Sequence, residues 1–220
     1  MTNDQGGSRG RFGKGVEGMP FSGAPTLPFS REEHGDRQAR LRRALKERGF
    51  DAMLVFAQES HYWLTGYDTG GYVYFQCAVV TADERPIVLL TRRPDLLQAR
   101  QTSTIEDVRI WWDAEDANPA EDLKAILEEL GLSGSRLAVE LNTHGLTGWN
   151  LWRLQKTLDG FCTLDNDDHL IRKLRLVKSP AEIAYTRQAA ELLDRSLEAV
   201  IAAARASPRR SRSPTTALSG

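Results

Sequence analysis

The feature that most constrains the fold is the run from Ala52 to Ala57, Ala-Met-Leu-Val-Phe-Ala, which is apolar at every position. A strand with one solvent-exposed face alternates apolar and polar residues, so an unbroken apolar run is typical of a strand covered on both faces. The run is too short for a helix of ordinary length. It therefore predicts a central strand of a layered α/β domain.

Further apolar runs and helical periodicities alternate along the chain. The predicted helices are 30–48, 94–101, 119–130 and 147–158, and the remaining predicted strands are 72–80, 86–90, 108–112, 137–140 and 161–164. The segment 59–67 is expected to form a single helical turn that ends at Gly66. Asp83 and Glu84 mark a hairpin bend, so the sheet is expected to be mixed rather than purely parallel.

Two capping boxes mark helix starts. Ser30 is followed three residues later by Glu33, and Ser179 by Glu182, with Pro180 at the first helical position. The second box predicts one long helix over 181–205, with an apolar stripe that would promote self-association if left bare.

The two ends of the chain differ from its middle. The Gly-rich segment 1–28 is predicted to be a disordered leader, and 205–220 a disordered basic tail rich in Ser, Arg and Pro. Such a tail could bind nucleic acid through clustered arginines. We favour another explanation of the tail, in which a shifted reading frame has replaced the original sequence with arbitrary residues. The composition changes inside a helix, where no linker is expected.

Composition excludes several function classes. The net charge of −1 gives no reason to expect nucleic acid or an anionic membrane as partner, and the longest apolar runs are too short to span a bilayer. The N-terminus has no apolar stretch of signal type, so we predict a cytoplasmic protein. Cys77 and Cys162 are far apart and are expected to be reduced thiols.

Residues that could carry chemistry are few. One cluster has ligand-type side chains, namely Asp165, Asn166, Asp167, Asp168 and His169. Its place between a strand and a helix favours caps and turns over a metal site. His144 is most simply a loop residue. We therefore predict no catalytic and no metal-ligating residue in this chain.

A family resemblance rests on two segments. The run Lys173 to Ile183, Lys-Leu-Arg-Leu-Val-Lys-Ser-Pro-Ala-Glu-Ile, resembles the hinge of the creatinase, prolidase and aminopeptidase P family. The segment 59–67 is similar to that family's Asn-Ile-Tyr-Tyr-Leu-Thr-Gly signature, from which Glu59, Ser60 and His61 depart. The resemblance implies a ribonuclease H-like N-terminal domain over 29–177, with a mixed sheet flanked by helices, and over 178–204 the hinge and first helix of a pita-bread catalytic domain.

The resemblance also implies a function. Family peptidases use two divalent metal ions, manganese, cobalt or zinc, which two aspartates, one histidine and two glutamates of the pita-bread domain hold. Beyond the hinge this chain has no histidine. The resemblance thus implies a non-catalytic domain that shapes substrate access and dimerisation, acting on a small peptide or amide only together with a catalytic domain. The alternative is a stand-alone interaction module that dimerises or pairs with a separate catalytic partner, for instance through the helix 181–204.

Three residues are candidates for a site under this resemblance. His61, Trp63 and Tyr67 would line the mouth of a pocket whose floor belongs to a catalytic domain. In the simpler interpretation they cover the end of the central strand, with both large rings buried and His61 partly exposed.

Overall fold

The structure is a computed structural model that describes residues 23–206. The chain divides after Val177 into two compact units. The helices of unit one are α1 (Arg31–Glu47), α2 (Gln58–Thr65), α3 (Leu96–Thr102), α4 (Pro119–Glu129), α5 (Gly148–Leu158) and α6 (His169–Leu176). Its strands are β1 (Ala52–Val55), β2 (Cys77–Thr81), β3 (Val88–Arg92), β4 (Asp107–Trp111), β5 (Arg136–Val139) and β6 (Thr163–Asn166). A 3-10 turn, Arg93–Asp95, precedes α3, and α7 (Pro180–Ala206) forms unit two.

The six strands form one sheet in the order β4-β3-β2-β1-β5-β6. β1 pairs with β2 antiparallel and with β5 parallel, so the predicted central strand and mixed sheet are confirmed. β3 pairs with β2 antiparallel and with β4 parallel, and β6 is parallel to β5. Every strand except β2 therefore ends at the same edge, which we call the carboxyl edge.

Helices cover both faces of this sheet. Met53 and Val55 of β1 pack into a core with α1, α3 and α6, whereas Leu54 packs into a second core with α4 and α5. Adjacent strand residues point to opposite faces, so each half of the apolar run fills one core. This arrangement explains why the run contains no polar residue.

Helix α1 begins and ends where the sequence predicts. The Ser30 hydroxyl accepts the Glu33 N–H at 3.1 Å, and Gly49 follows the helix with a positive φ of 69°. Thr26 N–H donates to the Gln101 carbonyl at 2.8 Å. Within the predicted leader 1–28, Thr26 is thus hydrogen-bonded to the domain. Residues 1–22 lie outside the described part of the chain.

The predicted strand 72–80 is too long, because its first residues form a loop. Tyr67 donates its hydroxyl hydrogen to Gln76 Oε1 at 2.8 Å, and Gln76 Nε2 donates to the Gly71 carbonyl at 2.9 Å. A Cβ at Gly71 would collide with the Asp95 carboxylate. This buried polar network holds 71–76 away from the ladder, although its tyrosines and valine favour a strand. Helix α2, with eight residues, is longer than the predicted single turn.

Unit two is the predicted long helix. Ser179 N–H donates to the Glu182 carboxylate at 2.8 Å, and Glu182 N–H donates to the Ser179 hydroxyl at 3.2 Å, so the capping box is complete. Its large apolar side chains are exposed, Leu193 and Leu197 among them. Arg205 continues the helix, and the rest of the predicted basic tail, from 207 onward, lies outside the described residues. Of the helices within 23–206, none combines the length and apolar character that crossing a membrane requires.

Candidate functional site

A cleft of about 640 Å³ opens at the carboxyl edge between β1 and β5. The chain leaves β1 for α2 on one face of the sheet and leaves β5 for α5 on the other. Open α/β sheets bind ligands at such a divergence of connections. The cleft is lined by Gln58, Glu59, Tyr72, Leu141, Asn142, Thr143, His144, Gly145 and Arg172.

The wall that follows β5 is held by several bonds. Asp168 accepts the Asn142 N–H at 2.8 Å, and Arg172 donates to the Asn142 carbonyl at 2.7 Å. A Cβ at Gly145 would collide with the Phe56 carbonyl oxygen, so the loop lies directly against the end of β1. The wall is therefore a fixed surface.

Glu140, the residue before the cleft wall, carries a buried carboxylate. It accepts the N–H groups of Phe56 and Ala57 at 3.2 and 3.0 Å and the Ser60 hydroxyl at 2.6 Å. Ala57, the residue before α2, supplies no side-chain cap, so Glu140, the residue after β5, satisfies the start of that helix instead. Burial raises the pKa of Glu140 to about 7, against the opposing effect of its hydrogen bonds.

The structure places the three sequence candidates in the core. His61 is only 2% exposed, and Trp63 and Tyr67 are buried as well. The expectation that His61 is partly exposed was wrong, because its ring packs edge-on against Tyr67 at 5.8 Å between centroids. Within residues 23–206 neither ring nitrogen of His61 has a hydrogen-bond partner. Burial lowers its pKa to about 4, so the ring is neutral near pH 7.

The sequence analysis proposed none of the cleft residues as a site candidate. Gln58 and Glu59, in the first turn of α2, line it, whereas the three candidates further along the helix do not. His144 was interpreted as a loop residue and does lie in a loop, but that loop is a cleft wall. The sequence analysis did not predict which strands are neighbours in the sheet. Only the parallel pairing of β1 with β5 shows that the segments after these two strands lie side by side.

The acidic segment before α6 serves structural roles. Asp165 pairs with Arg136, Asp167 lies 3.4 Å from Arg48, and Asp168 caps the cleft wall. Among residues 23–206 no three or more His, Cys, Asp or Glu side chains come together as a potential metal site. The acidic side chains before α6, held by Arg136, Arg48 and the cleft wall, therefore do not fit a two-metal centre.

A mixed six-stranded sheet flanked by helices, with a cleft at its carboxyl edge, defines an α/β domain of the creatinase type. The chain belongs to the family of the Creatinase/Prolidase N-terminal domain, whose sequence model matches residues 37–177. The predicted family and fold are thereby confirmed.

Curated relatives extend beyond this domain. The chain is 27% identical over 175 residues to an ectoine hydrolase of Halomonas elongata, covering 76% of this chain and 43% of the relative. It is 25% identical over 181 residues to an uncharacterised hydrolase/peptidase of Sinorhizobium fredii, covering 80% and 46%. The chain thus spans less than half the length of these curated relatives.

Solved structures show the same relationship. A dipeptidase from Pyrococcus horikoshii superposes with a TM-score of 0.62 at 26% identity, covering 76% of this chain and 44% of that one. The N-terminal domain of the cytoplasmic peptidase PepQ from Mycobacterium tuberculosis gives 0.50 at 25% identity, covering 64% of this chain and 98% of the other.

Proposed function

We propose that unit one is the non-catalytic N-terminal domain of an Xaa-Pro dipeptidase or aminopeptidase-like metallohydrolase, and that its cleft forms part of the path to the substrate. The position of the cleft carries this proposal. It lies where open α/β sheets bind ligands, and its walls present the charged or polar groups of Glu59, His144 and Arg172. Such groups can orient the ends of a small peptide or amide by charge and hydrogen bonding.

The bond cleaved in the intact relative would be an Xaa-Pro peptide bond or a related C–N bond in a small molecule. The relatives named as an ectoine hydrolase, a dipeptidase and a cytoplasmic peptidase support this class and a cytoplasmic location. Two metal ions, of manganese, cobalt or zinc, would be held by a catalytic domain. When bound there, such ions would supply Lewis-acid activation of water and of the scissile carbonyl.

His61, Trp63 and Tyr67 would then act on substrate access indirectly. Tyr67 fixes Gln76 and hence the loop that carries Tyr72, a cleft residue. Trp63 anchors α2 through its carbonyl, which accepts from Arg37 at 3.0 Å. We therefore propose them as positioning residues for the cleft walls.

The stand-alone module remains the second candidate, and the exposed side chains of α7 favour it. An apolar face of this kind is covered by another surface in most proteins. Under this candidate the chain forms a homodimer or binds a separate catalytic partner through 181–204, and the purified chain has no hydrolase activity of its own.

Two assays test the leading proposal. The purified chain, supplied in turn with Mn²⁺, Co²⁺ and Zn²⁺, is expected to leave Xaa-Pro dipeptides intact, and metal-dependent hydrolysis would refute both candidates. The second assay uses a chimera in which residues 23–177 replace the N-terminal domain of the Pyrococcus horikoshii dipeptidase. Arg172→Ala and His144→Ala should raise KM several-fold with little change in kcat. Glu128→Ala, at the far end of α4, is the control, and equal behaviour of all three would contradict a role for the cleft.

A further inference from the structure

A second cavity, of about 270 Å³, lies at the edge of the sheet opposite the cleft. Its floor includes residues that precede β3 and β4, among them Ile87 and Ile105. These two strands are parallel, with Val88 opposite Asp107, so the segments before them lie side by side. The cavity is therefore at the amino ends of strands, whereas the cleft is at carboxyl ends, and the two share no lining residue.

One face of α1 forms a wall of this cavity. The lining residues of α1 are spaced four, three and four positions apart, and they are Arg31, Gly35, Gln38 and Arg42. Residues with this spacing share one face of a helix. Gln38 Nε2 donates to the Leu64 carbonyl at 3.0 Å, which ties this face of α1 to the end of α2. The wall is thus held in place.

Gly35 stands in the middle of this face although the helix itself does not require a glycine there. A Cβ at this position would meet no atom within 4 Å, and Gly35 is not among the glycines with positive φ. Glycine lowers the stability of a helix relative to alanine, because it loses more backbone entropy on folding. What the missing side chain provides is space beside the cavity. A ligand site at this position would explain that cost in helix stability.

Four charged side chains line the cavity without pairing. The cations are Arg31 and Arg42, and the anions are Glu84 and Glu106. Within residues 23–206 none of these four side chains belongs to an ion pair. Charges of both signs are therefore available to a ligand in the same cavity.

Arg42 keeps hydrogen-bond donors for such a ligand. Its Nη2 donates to the Arg85 carbonyl at 2.8 Å, while the buried Nε has no partner in the described part of the chain. Burial lowers the pKa of Arg42, against the opposing effect of the Asp83 and Glu84 carboxylates. A buried donor without an acceptor is unfavourable. An anionic group in the cavity would supply an acceptor and offset the desolvation of the guanidinium.

The charge and size of the cavity restrict the class of ligand. Two cations and two anions balance each other, so a ligand with one group of each sign fits better than an anion or a cation alone. Ile87 and Ile105 offer an apolar surface to the body of that ligand. Drug-sized ligands occupy about 300–1,000 Å³. The smaller volume here fits a single amino acid better than a longer peptide.

The placement of Arg42 and Glu84 favours a ligand whose two charged groups are close together. The carboxylate of Glu84 acts on the Arg42 guanidinium, yet the two do not form an ion pair. An α-amino acid carries its carboxylate and its ammonium on one carbon, so it can bridge two such groups. We propose that this cavity binds a free α-amino acid with an aliphatic side chain, its carboxylate at Arg42 and its ammonium at Glu84. The proposal does not depend on the function proposed for the cleft.

Calorimetric titration of the full chain with L-valine tests the ligand class. Saturable binding at one site per chain is expected, with a Kd of about 1 mM or lower. Isobutylamine lacks only the carboxylate of valine, and 3-methylbutanoate lacks only its ammonium. Each should bind at least about tenfold more weakly, because each leaves charged lining groups without a partner. No binding of L-valine, or equal affinity for all three compounds, would overturn the proposal.

Variants of α1 test the position of the site. Gly35→Leu should abolish L-valine binding by filling the cavity, while circular dichroism shows a helix at least as stable as before, since leucine is the better helix former. Arg42→Gln should weaken binding about tenfold or more. The matched control is Arg43→Gln, the next residue of α1, which is exposed and lies outside the cavity lining; it should bind L-valine normally.

A variant of the cleft separates the two sites. Arg172→Ala should leave L-valine binding unchanged, because Arg172 lines only the cleft. L-valine binding that is lost in Arg172→Ala but kept in Gly35→Leu would place the ligand in the cleft and refute an amino-acid site beside α1. The reverse result would support the site at the amino edge, whatever the cleft binds.

Discussion

The buried carboxyl group of Glu140 predicts a specific pH dependence of stability. Burial raises its pKa from 4.5 to about 7, so the native state keeps a proton that the unfolded chain releases between these values. One unit of pKa difference corresponds to about 1.4 kcal/mol. Raising the pH through this window should therefore lower the free energy of unfolding by about 3 kcal/mol, and the group contributes no penalty below pH 4.5.

His61 acts in the opposite direction over much of the same range. Burial lowers its pKa from 6.5 to about 4, so below pH 6.5 the unfolded chain takes up a proton that the native state does not. Stability from His61 should rise by about 3 kcal/mol as the pH increases from 4 to 6.5. His34, whose pKa burial also lowers, acts in the same direction as His61. The slopes of Glu140 and His61 oppose each other between pH 4.5 and 6.5, so the wild-type profile should be shallow in that range.

Two substitutions separate charge from hydrogen bonding at Glu140. Glu140→Gln keeps an oxygen for the Phe56 and Ala57 N–H groups, and the Ser60 hydroxyl can turn to accept from the new amide. This variant removes the decrease in the free energy of unfolding that Glu140 causes as the pH rises. The increase caused by His61 should then become visible. Glu140→Ala leaves three buried donors without their acceptor and should cost about 3 kcal/mol or more at every pH.

Urea unfolding followed by tryptophan fluorescence between pH 4.5 and 8 measures both effects. The Gln variant should gain about 3 kcal/mol between pH 4.5 and 6.5, while the wild type changes little. If the two proteins share one pH profile, Glu140 does not titrate as its burial requires. If the Ala and Gln variants are equally stable, the carboxylate does not cap α2.

Three further predictions concern packing, capping and thiol reactivity. Gly145→Ala should lower the free energy of unfolding by about 1–3 kcal/mol, because it forces a methyl group against the end of β1. Gly148→Ala, with open space around it, should change it little. Equal stabilities of the two variants in thermal unfolding would contradict the close approach at Gly145. Ser179→Ala should lower the stability of α7 by about 1 kcal/mol, measured as lost helical signal by circular dichroism, and an unchanged signal would mean that the box contributes nothing. Burial raises the pKa of the Cys77 thiol well above its ordinary value. A disulfide reagent should therefore modify Cys162 first in the native protein and reach Cys77 only on unfolding. Simultaneous modification of both thiols would refute this order.

Local chemistry was enough to predict most of the architecture. The apolar run at β1 indicated a strand covered on both faces, and it lies in the middle of the sheet. The Ser179 and Glu182 pair indicated a helix start and forms both reciprocal bonds. In these cases the residues that decide the structure are neighbours in the sequence.

The sequence-based predictions failed where residues distant in the sequence determine the local structure. The loop 71–76 has strand-forming residues, but Tyr67 and Asp95 help hold it through buried contacts that no local pattern reveals. Glu140 follows a short strand and resembles any exposed glutamate. One signal could have identified it, since Ala57 offers no cap for α2 and that helix therefore needs an acceptor from elsewhere.

The bond between Glu140 and the start of α2 also has a consequence for the order of folding during synthesis. β1 can pair with β2 after about 25 further residues have been made, whereas β5 and the cap at residue 140 arrive more than 80 residues after α2 begins. Domains form from the N-terminus as the chain emerges. We expect a nascent chain that ends before residue 136 to hold an antiparallel β1–β2–β3 meander with a frayed α2. Hydrogen exchange on such truncated chains should show protected amides in β2 but not at Ser60 and His61, and protection at both places would mean that α2 forms without its distant cap.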